Sequence, residues 1–159
     1  MVLRFNKVIQ NTRDSDHYCT PKDFYDNLNS EFNFTFDPCP LRCSEFNGLK
    51  VNWIGIVYCN PPYSHVEAWI NKGIEEIKKG NAEKIVYLIP LRTDSWYWHN
   101  KILTYASEVR LVRGRLRFGD KKDLAPFGVA LIIFDKDLKG SPLLTSYEKN
   151  KPFMQKKLI

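Results

Sequence analysis

Ile54-Gly55-Ile56-Val57-Tyr58-Cys59-Asn60-Pro61-Pro62-Tyr63-Ser64 is the stretch from which the rest of the chain is read. Ile54 to Tyr58 is an apolar run with the length and content of a buried strand. His65 to Lys79, which follows the stretch, has helical spacing. An amide, two prolines and a tyrosine therefore stand where a strand ends and a helix begins, the place where open α/β sheets bind ligands. Proline has no N–H and a fixed φ, so two in a row hold the backbone in one extended shape. The main-chain carbonyls of Asn60 and Pro61 then point in set directions, and Asn60 adds a side-chain carbonyl. Two acceptors aimed at one spot suit an amino group with two hydrogens to donate. Tyr63 adds a flat face for stacking. The best-matched group is a planar exocyclic NH2, as on adenine, cytosine or a glutamine amide. The plain alternative is a Pro-Pro turn with Tyr63 packed on it. The full four-residue string in this strand-to-helix setting favours chemistry.

Downstream, Ser64-His65-Val66-Glu67 fits a capping box. Val66, Trp69, Ile70, Ile74 and Ile77 mark one apolar helix face as far as about Lys79, and Gly80 ends it. Ile85 to Ile89 is a buried strand ending at Pro90, so the strand–helix–strand order predicts a parallel pair with a right-handed crossover. Upstream, Thr20 fits an N-cap and Pro21 the first position of a helix running to about Phe32, with Phe24, Leu28 and Phe32 as its core stripe. Phe34-Thr35-Phe36 reads as a strand ending in Asp37-Pro38-Cys39-Pro40. Asp37 there either accepts hydrogen bonds from a ribose or a charged amine, or closes an Asx-type turn. Leu41 to Trp53 is a connection with little periodicity.

Beyond Pro90, an aromatic-rich helix is expected from Trp96 to about Ala106. Trp96 and Trp98 either border a ligand or pack the helix on the sheet, and for at least one of them packing is the favoured reading. His99 reads as structural. Glu108 to Val112 is a strand; Gly114 interrupts it and Arg115 to Phe118 continues it. Arg113, Arg115 and Arg117 would then share one face as a basic stripe able to contact phosphates. Lys121 and Lys122 lie in a polar loop. Gly128 to Phe134 is apolar throughout and reads as a last strand, paired with its neighbour in an antiparallel hairpin at a sheet edge. Met1 to His17, with a short alternating piece from Val2 to Ile9, is a possible N-terminal arm, and residues 136–159 read as a basic C-terminal tail.

The 159 residues suffice for one domain with a sizeable core, and the 43% hydrophobic content fits a globular chain. A net charge of +6 makes a polyanionic partner plausible. The four cysteines form no Cys-x-x-Cys pair and fit no common zinc pattern, so no metal is expected. No apolar run is long enough to span a membrane. With no segment that reads as a signal peptide, a reducing cytoplasm is the expected location.

Taken in order and spacing, these pieces resemble the phage-type DNA N6-adenine methyltransferases of the Dam family, from about Asn11 to Asp135. Tyr18 to Pro21, Asp37-Pro38, Trp53, Cys59 to Ser64, Trp69, Thr93 to His99, Arg113-Gly114-Arg115, Phe118 and the final buried strand carry the resemblance. It implies a shortened, Rossmann-like class I methyltransferase fold, a mostly parallel sheet with a C-terminal antiparallel hairpin. It implies S-adenosylmethionine as cofactor and adenine N6 in DNA as the methyl acceptor, with the target base flipped out of the duplex. By this resemblance Asn60 and Pro61 accept the amino hydrogens, Pro62 holds the loop and Tyr63 stacks on the base. Tyr18, Thr20, Pro21, Asp37, Pro38 and Asn60 contact the cofactor, while Ser64, Arg113, Arg115, Arg117, Lys121 and Lys122 face DNA. The location would be the host cytoplasm of a phage. The chain departs from the family pattern in having Tyr18 where a Trp is favoured, and from ordinary methyltransferases, which carry a glycine-rich loop after the first strand, in having no glycine from Asp37 to Cys43. Two other readings stand beside this one: methylation of another amino group, on an RNA base or a protein glutamine, and a DNA-binding relative without catalysis.

Overall fold

The computed structural model describes residues 18–40, 45–138 and 140–150. The expected arm at Val2 to Ile9 and the chain beyond Asn150 lie outside the described residues.

The first helix, α1 (Lys22–Phe32), buries Phe24, Leu28 and Phe32, the stripe that its spacing predicts. Pro21 rather than Thr20 holds the N-cap position, without a side-chain capping bond. The Thr20 hydroxyl is engaged elsewhere, with the Tyr58 hydroxyl at 2.7 Å and the Asn60 amide at 3.0 Å. A residue that looks like a helix cap is thus drawn into the site.

The central unit is β1 (Gly55–Cys59), α2 (Val66–Lys78) and β2 (Ala82–Pro90), and the two strands pair in parallel, Val57 opposite Ile85. His65, not Ser64, is the N-cap of α2 and makes no side-chain capping bond, so the capping box does not form as expected. Val66, Trp69, Ile70, Ile74 and Ile77 are buried on the sheet side. Gly73 lets the helix come close to β2: a Cβ there would lie 1.8 Å from the Tyr87 hydroxyl, which donates to the Trp69 carbonyl.

The sheet continues through β3 (Glu108–Val112), β4 (Val129–Asp135) and β5 (Leu143–Tyr147), in the spatial order β1-β2-β4-β3-β5. Only β4 runs against the others among these strands. On the free side of β1, the expected strand at Phe34 to Phe36 is reduced to one parallel bridge, Phe36 to Val57, with Thr35 and Phe36 N–H groups donating to the Ile56 carbonyl.

Three expectations are corrected. The β3–β4 pair is antiparallel but is not a hairpin at the edge. β4 inserts between β2 and β3, where six consecutive apolar residues, Val129 to Phe134, find cover on both sides. The tail is not all tail, since Leu143 to Tyr147 adds as a parallel edge strand on β3. Lastly, β3 does not continue over Arg115 to Phe118, because Gly114 at φ +74° turns the chain away. The alternation survives without a ladder: Leu116 and Phe118 are buried, Arg115 and Arg117 exposed.

Arg110 fastens α1 to this half of the sheet. Its guanidinium donates to both Glu31 oxygens at 2.8 and 2.7 Å and to Glu108 at 2.9 and 3.1 Å, and Thr145 of β5 donates to Glu108 at 3.0 Å. The fork of the guanidinium matches a carboxylate bidentately, a pairing that holds geometry as well as charge. Burial disfavours the guanidinium charge, but the two carboxylates outweigh it and hold Arg110 protonated. Among the described residues, no helix is long and apolar enough to cross a membrane.

Candidate active site

Cys59 ends β1 inside the core, and Asn60 is the first residue past the strand. Pro61 is buried, and the Pro62 carbonyl accepts from the His65 N–H at 3.0 Å, so the two prolines turn the chain directly into α2. The Asn60 amide nitrogen donates to the Tyr18 carbonyl and to Thr20 Oγ1. A main-chain carbonyl only accepts, so this contact decides which end of the amide is nitrogen. Asn60 Oδ1 is then buried, with no hydrogen-bond partner among the described residues. The Pro61 carbonyl also accepts no hydrogen bond from the described residues. A buried acceptor left unpaired costs about 1–3 kcal/mol and calls for an explanation. Here Asn60 Oδ1 is such an acceptor, and the Pro61 carbonyl follows it directly in the chain.

Behind them, the Tyr58 phenol is fully buried, which pushes its ionisation well up. Its ring meets Tyr25 edge-on at 5.1 Å and Phe34 at 5.2 Å. Asp37 follows the Phe36 bridge. Its Oδ1 accepts from the Cys39 N–H at 2.8 Å, which is the Asx-turn geometry, and burial pushes its carboxyl up to about 6 against the help of that hydrogen bond. Its charge in turn raises the neighbouring Cys39, after burial, to about 12.

The Asp37–Pro38 turn is set from beneath by Glu76, Trp53 and Gly48, of which only Trp53 carried the family resemblance. Glu76 of α2 is completely buried and accepts from Lys72, from Asn81 Nδ2 at 2.9 Å and from the Trp53 N–H at 3.0 Å. Burial opposes its charge, but Lys72 and these N–H donors win and hold its carboxyl below the usual range. Trp53 in turn donates from its indole to the Gly48 carbonyl at 2.8 Å. Gly48 lies against Pro38 so closely that a Cβ would come within 1.8 Å of the Pro38 carbonyl oxygen. A buried Glu in the middle of an apolar helix face is the signal that was there to be found.

Beside Asn60 stands an aromatic box. Tyr63 is 4% exposed. Tyr18 stacks on it, centroids 5.0 Å apart and planes 20° apart. Phe118 and Phe127 meet both rings edge-on, at 5.1 and 5.3 Å from Tyr18 and at 6.2 and 5.6 Å from Tyr63. Phe127 was not singled out in the sequence. Tyr18, expected near the cofactor, has its ring on the Tyr63 side of Asn60 while its carbonyl holds the amide.

The residues expected to face DNA are not one continuous stripe. Arg113, Arg115, Arg117, Lys121 and Lys122 are all exposed, but Arg113 pairs with Glu148 at 3.1 Å and Lys121 lies over the Tyr18 ring at 4.8 Å. Ser64 is exposed on the rim of an open cleft of about 510 Å³, which Arg92, Asn71 and Tyr97 also line. Trp98 is buried as packing predicts, while Trp96 is 57% exposed. His99 bonds the Thr93 carbonyl at 2.9 Å and has a structural place. No group of three or more His, Cys, Asp or Glu side chains able to hold a metal occurs among the described residues.

This is an α/β protein whose candidate site lies at the carboxyl ends of neighbouring parallel strands, with a proline-fixed amide at its centre. The chain belongs to the DNA N-6-adenine-methyltransferase (Dam) family, whose model matches residues 7–157. No curated protein matches it. Among solved structures it is similar to PH1948 of Pyrococcus horikoshii, a candidate RNA methyltransferase. The identity is 15%, over 57% of this chain and 48% of that one, with a TM-score of 0.42. It is also similar to the type IIL restriction-modification enzyme MmeI in complex with DNA, at 16% identity over 82% of this chain and 24% of that one, TM-score 0.46. The chain thus spans about half the length of the first structure and a quarter of the second.

Proposed function

We propose that this chain transfers a methyl group from S-adenosylmethionine to the N6 amino group of adenine in DNA. The observation that carries the reading is the Asn60 amide: oriented by Tyr18 and Thr20 through its nitrogen, it leaves Oδ1 buried and unpaired beside the unused Pro61 carbonyl.

The residues on the cofactor side fit the assignment. Asp37 is a half-buried carboxylate, raised by desolvation, that accepts one hydrogen bond among the described residues, from the Cys39 N–H. An ammonium or ribose hydroxyl would supply the missing donor. Thr20, Pro21, Asp37, Pro38 and Asn60 would hold the cofactor, which supplies an electrophilic methyl on a sulfonium.

The chain's own part in the reaction follows from geometry. An aromatic amino nitrogen has its lone pair delocalised into the ring and is a poor nucleophile. Asn60 Oδ1 and the Pro61 carbonyl accept its two hydrogens, favour the pyramidal nitrogen and stabilise the positive charge that grows there. Pro61 and Pro62 fix both acceptors in advance, so little is reorganised as the charge develops. Tyr63 gives the ring a flat support. Because Asn60 Oδ1 is buried, a base stacked within a duplex does not reach it, and the target adenine enters flipped. Arg115, Arg117 and Lys122 are exposed to meet phosphates.

Asn60→Ala tests this reading. It removes an acceptor used in the transition state and is expected to cut methyl transfer by about 100-fold or more, with the far-ultraviolet dichroism spectrum unchanged. Near-normal transfer by the folded variant would overturn the mechanism.

A further inference from the structure

We propose that Tyr18 occupies the place of the target base in the DNA-free protein, as a side-chain plug that the incoming ring displaces. The inference rests on the reading of Tyr63 as the base support.

Tyr63 is almost wholly covered, and the ring lying on its face is Tyr18, at 5.0 Å and 20°. That is the arrangement a stacked aromatic ligand adopts. A base laid on this face of Tyr63 would need the volume that Tyr18 fills, so the two exclude each other. Phe118 and Phe127 close the sides, each edge-on to both rings. The Lys121 ammonium lies over the Tyr18 ring as well. Tyr18 therefore sits in a slot whose walls are all suited to a flat aromatic ring.

The main chain around Tyr18 has a separate task. Its carbonyl accepts from Asn60 Nδ2, and the next carbonyl, of Cys19, accepts from the Gly119 N–H at 2.9 Å. These bonds use only the main chain, so the backbone can keep Asn60 oriented when the ring leaves its slot. Tyr18 is also the partly exposed member of the stacked pair, and Tyr63 the buried one, so Tyr18 is the ring that can leave. Exchanging one stacked ring for another keeps the walls in contact throughout, so the plug excludes water without barring a planar base.

A short single strand carrying one 2-aminopurine is the probe, because its fluorescence falls on stacking and it has no 6-amino group for Asn60 to hold. Tyr18→Ala is expected to bind and quench the probe about tenfold more tightly than the parent, the size of one stacking contact no longer in competition. Tyr18→Phe, which keeps the plug, is expected to match the parent. Tyr18→Leu, which fills space without a flat face, covers the case where the alanine variant does not fold, and is expected to bind more tightly than Tyr18→Phe. Unchanged or weaker quenching in both Tyr18→Ala and Tyr18→Leu would overturn the proposal. Adding Tyr63→Ala to Tyr18→Ala separates the two readings. If quenching is lost, Tyr63 is the base support and the Tyr18 comparison stands alone. If quenching persists, the base slot itself is elsewhere and the plug falls with it.

Discussion

Asn60 divides its amide between two tasks. The nitrogen end is tied to Tyr18 and Thr20, the oxygen end has no partner among the described residues, and in the proposed reaction that oxygen receives the amino group. Asn60→Asp would keep an oxygen at that point but lose the donor, placing a carboxylate against the Tyr18 carbonyl and forfeiting the orientation. It is therefore expected to lose methyl transfer almost as fully as Asn60→Ala, and a steady-state assay of both variants checks this. Asp37 makes a prediction in pH. Its carboxyl is raised from 3.8 to about 6 in the folded chain, so between these values the native state holds the proton more tightly than the unfolded one. Its contribution to stability is therefore full below about 4 and declines as pH rises through about 6. Asp37→Asn removes this step. On going from pH 4.5 to 7 the denaturant midpoint is expected to fall less, or rise more, in the variant than in the parent, and an identical change in both would mean that Asp37 contributes no such step. Asn60, Pro61, Pro62 and Tyr63 were legible in the sequence because a fixed loop after a strand leaves few places for them to be. The position of the Tyr18 ring was not, since a stack between residues 45 positions apart follows from tertiary packing and leaves no local pattern.

Among the elements, the turn at Asp37–Pro38 depends on a part of the chain that looks featureless. Glu76 holds Trp53, Trp53 holds Gly48, and Gly48 lies on the Pro38 carbonyl. Gly48→Ala would drive a methyl group into main-chain atoms, where no side-chain rotation relieves it. The variant is expected to lose about 1–3 kcal/mol in denaturant unfolding and to bind S-adenosylmethionine more weakly by calorimetry. Unchanged affinity in the folded variant would detach this turn from the cofactor. Strand and helix positions along 54–90 were readable because an apolar run, a helical stripe and a second apolar run leave one topology open. The far half of the sheet was less so. β4 was recognised as buried, yet its place between β2 and β3 is set by which neighbours cover both its faces, and sequence order alone points to an edge hairpin. β5 was read as tail because the stretch around it is polar and basic, and in the structure Leu143 and Leu144 are indeed exposed. What recruits it is the open edge of β3, with Thr145 bonded to Glu108 within the Arg110 cluster.

Over the whole molecule, a sheet built largely of co-directional strands brings the ends of β1 and of the Phe36 bridge to one rim, and the segment after β3 brings Phe118 and its arginines to the same loop cluster. The net charge of +6 is consistent with a polyanionic partner, but the arginines are not equivalent. Arg115 is exposed, whereas Arg113 already pairs with Glu148. Arg115→Ala is expected to lower the slope of log affinity against log salt by about one unit, and Arg113→Ala by less. Equal slopes in all three proteins would remove these arginines from the DNA interface. The proposed reaction is tested by incubating the purified chain with labelled S-adenosylmethionine and unmethylated duplex DNA and analysing the nucleosides. Label recovered as N6-methyl-deoxyadenosine, and lost in Asn60→Ala, is the predicted result. A folded protein that binds the cofactor yet leaves every adenine in that DNA unlabelled would contradict it.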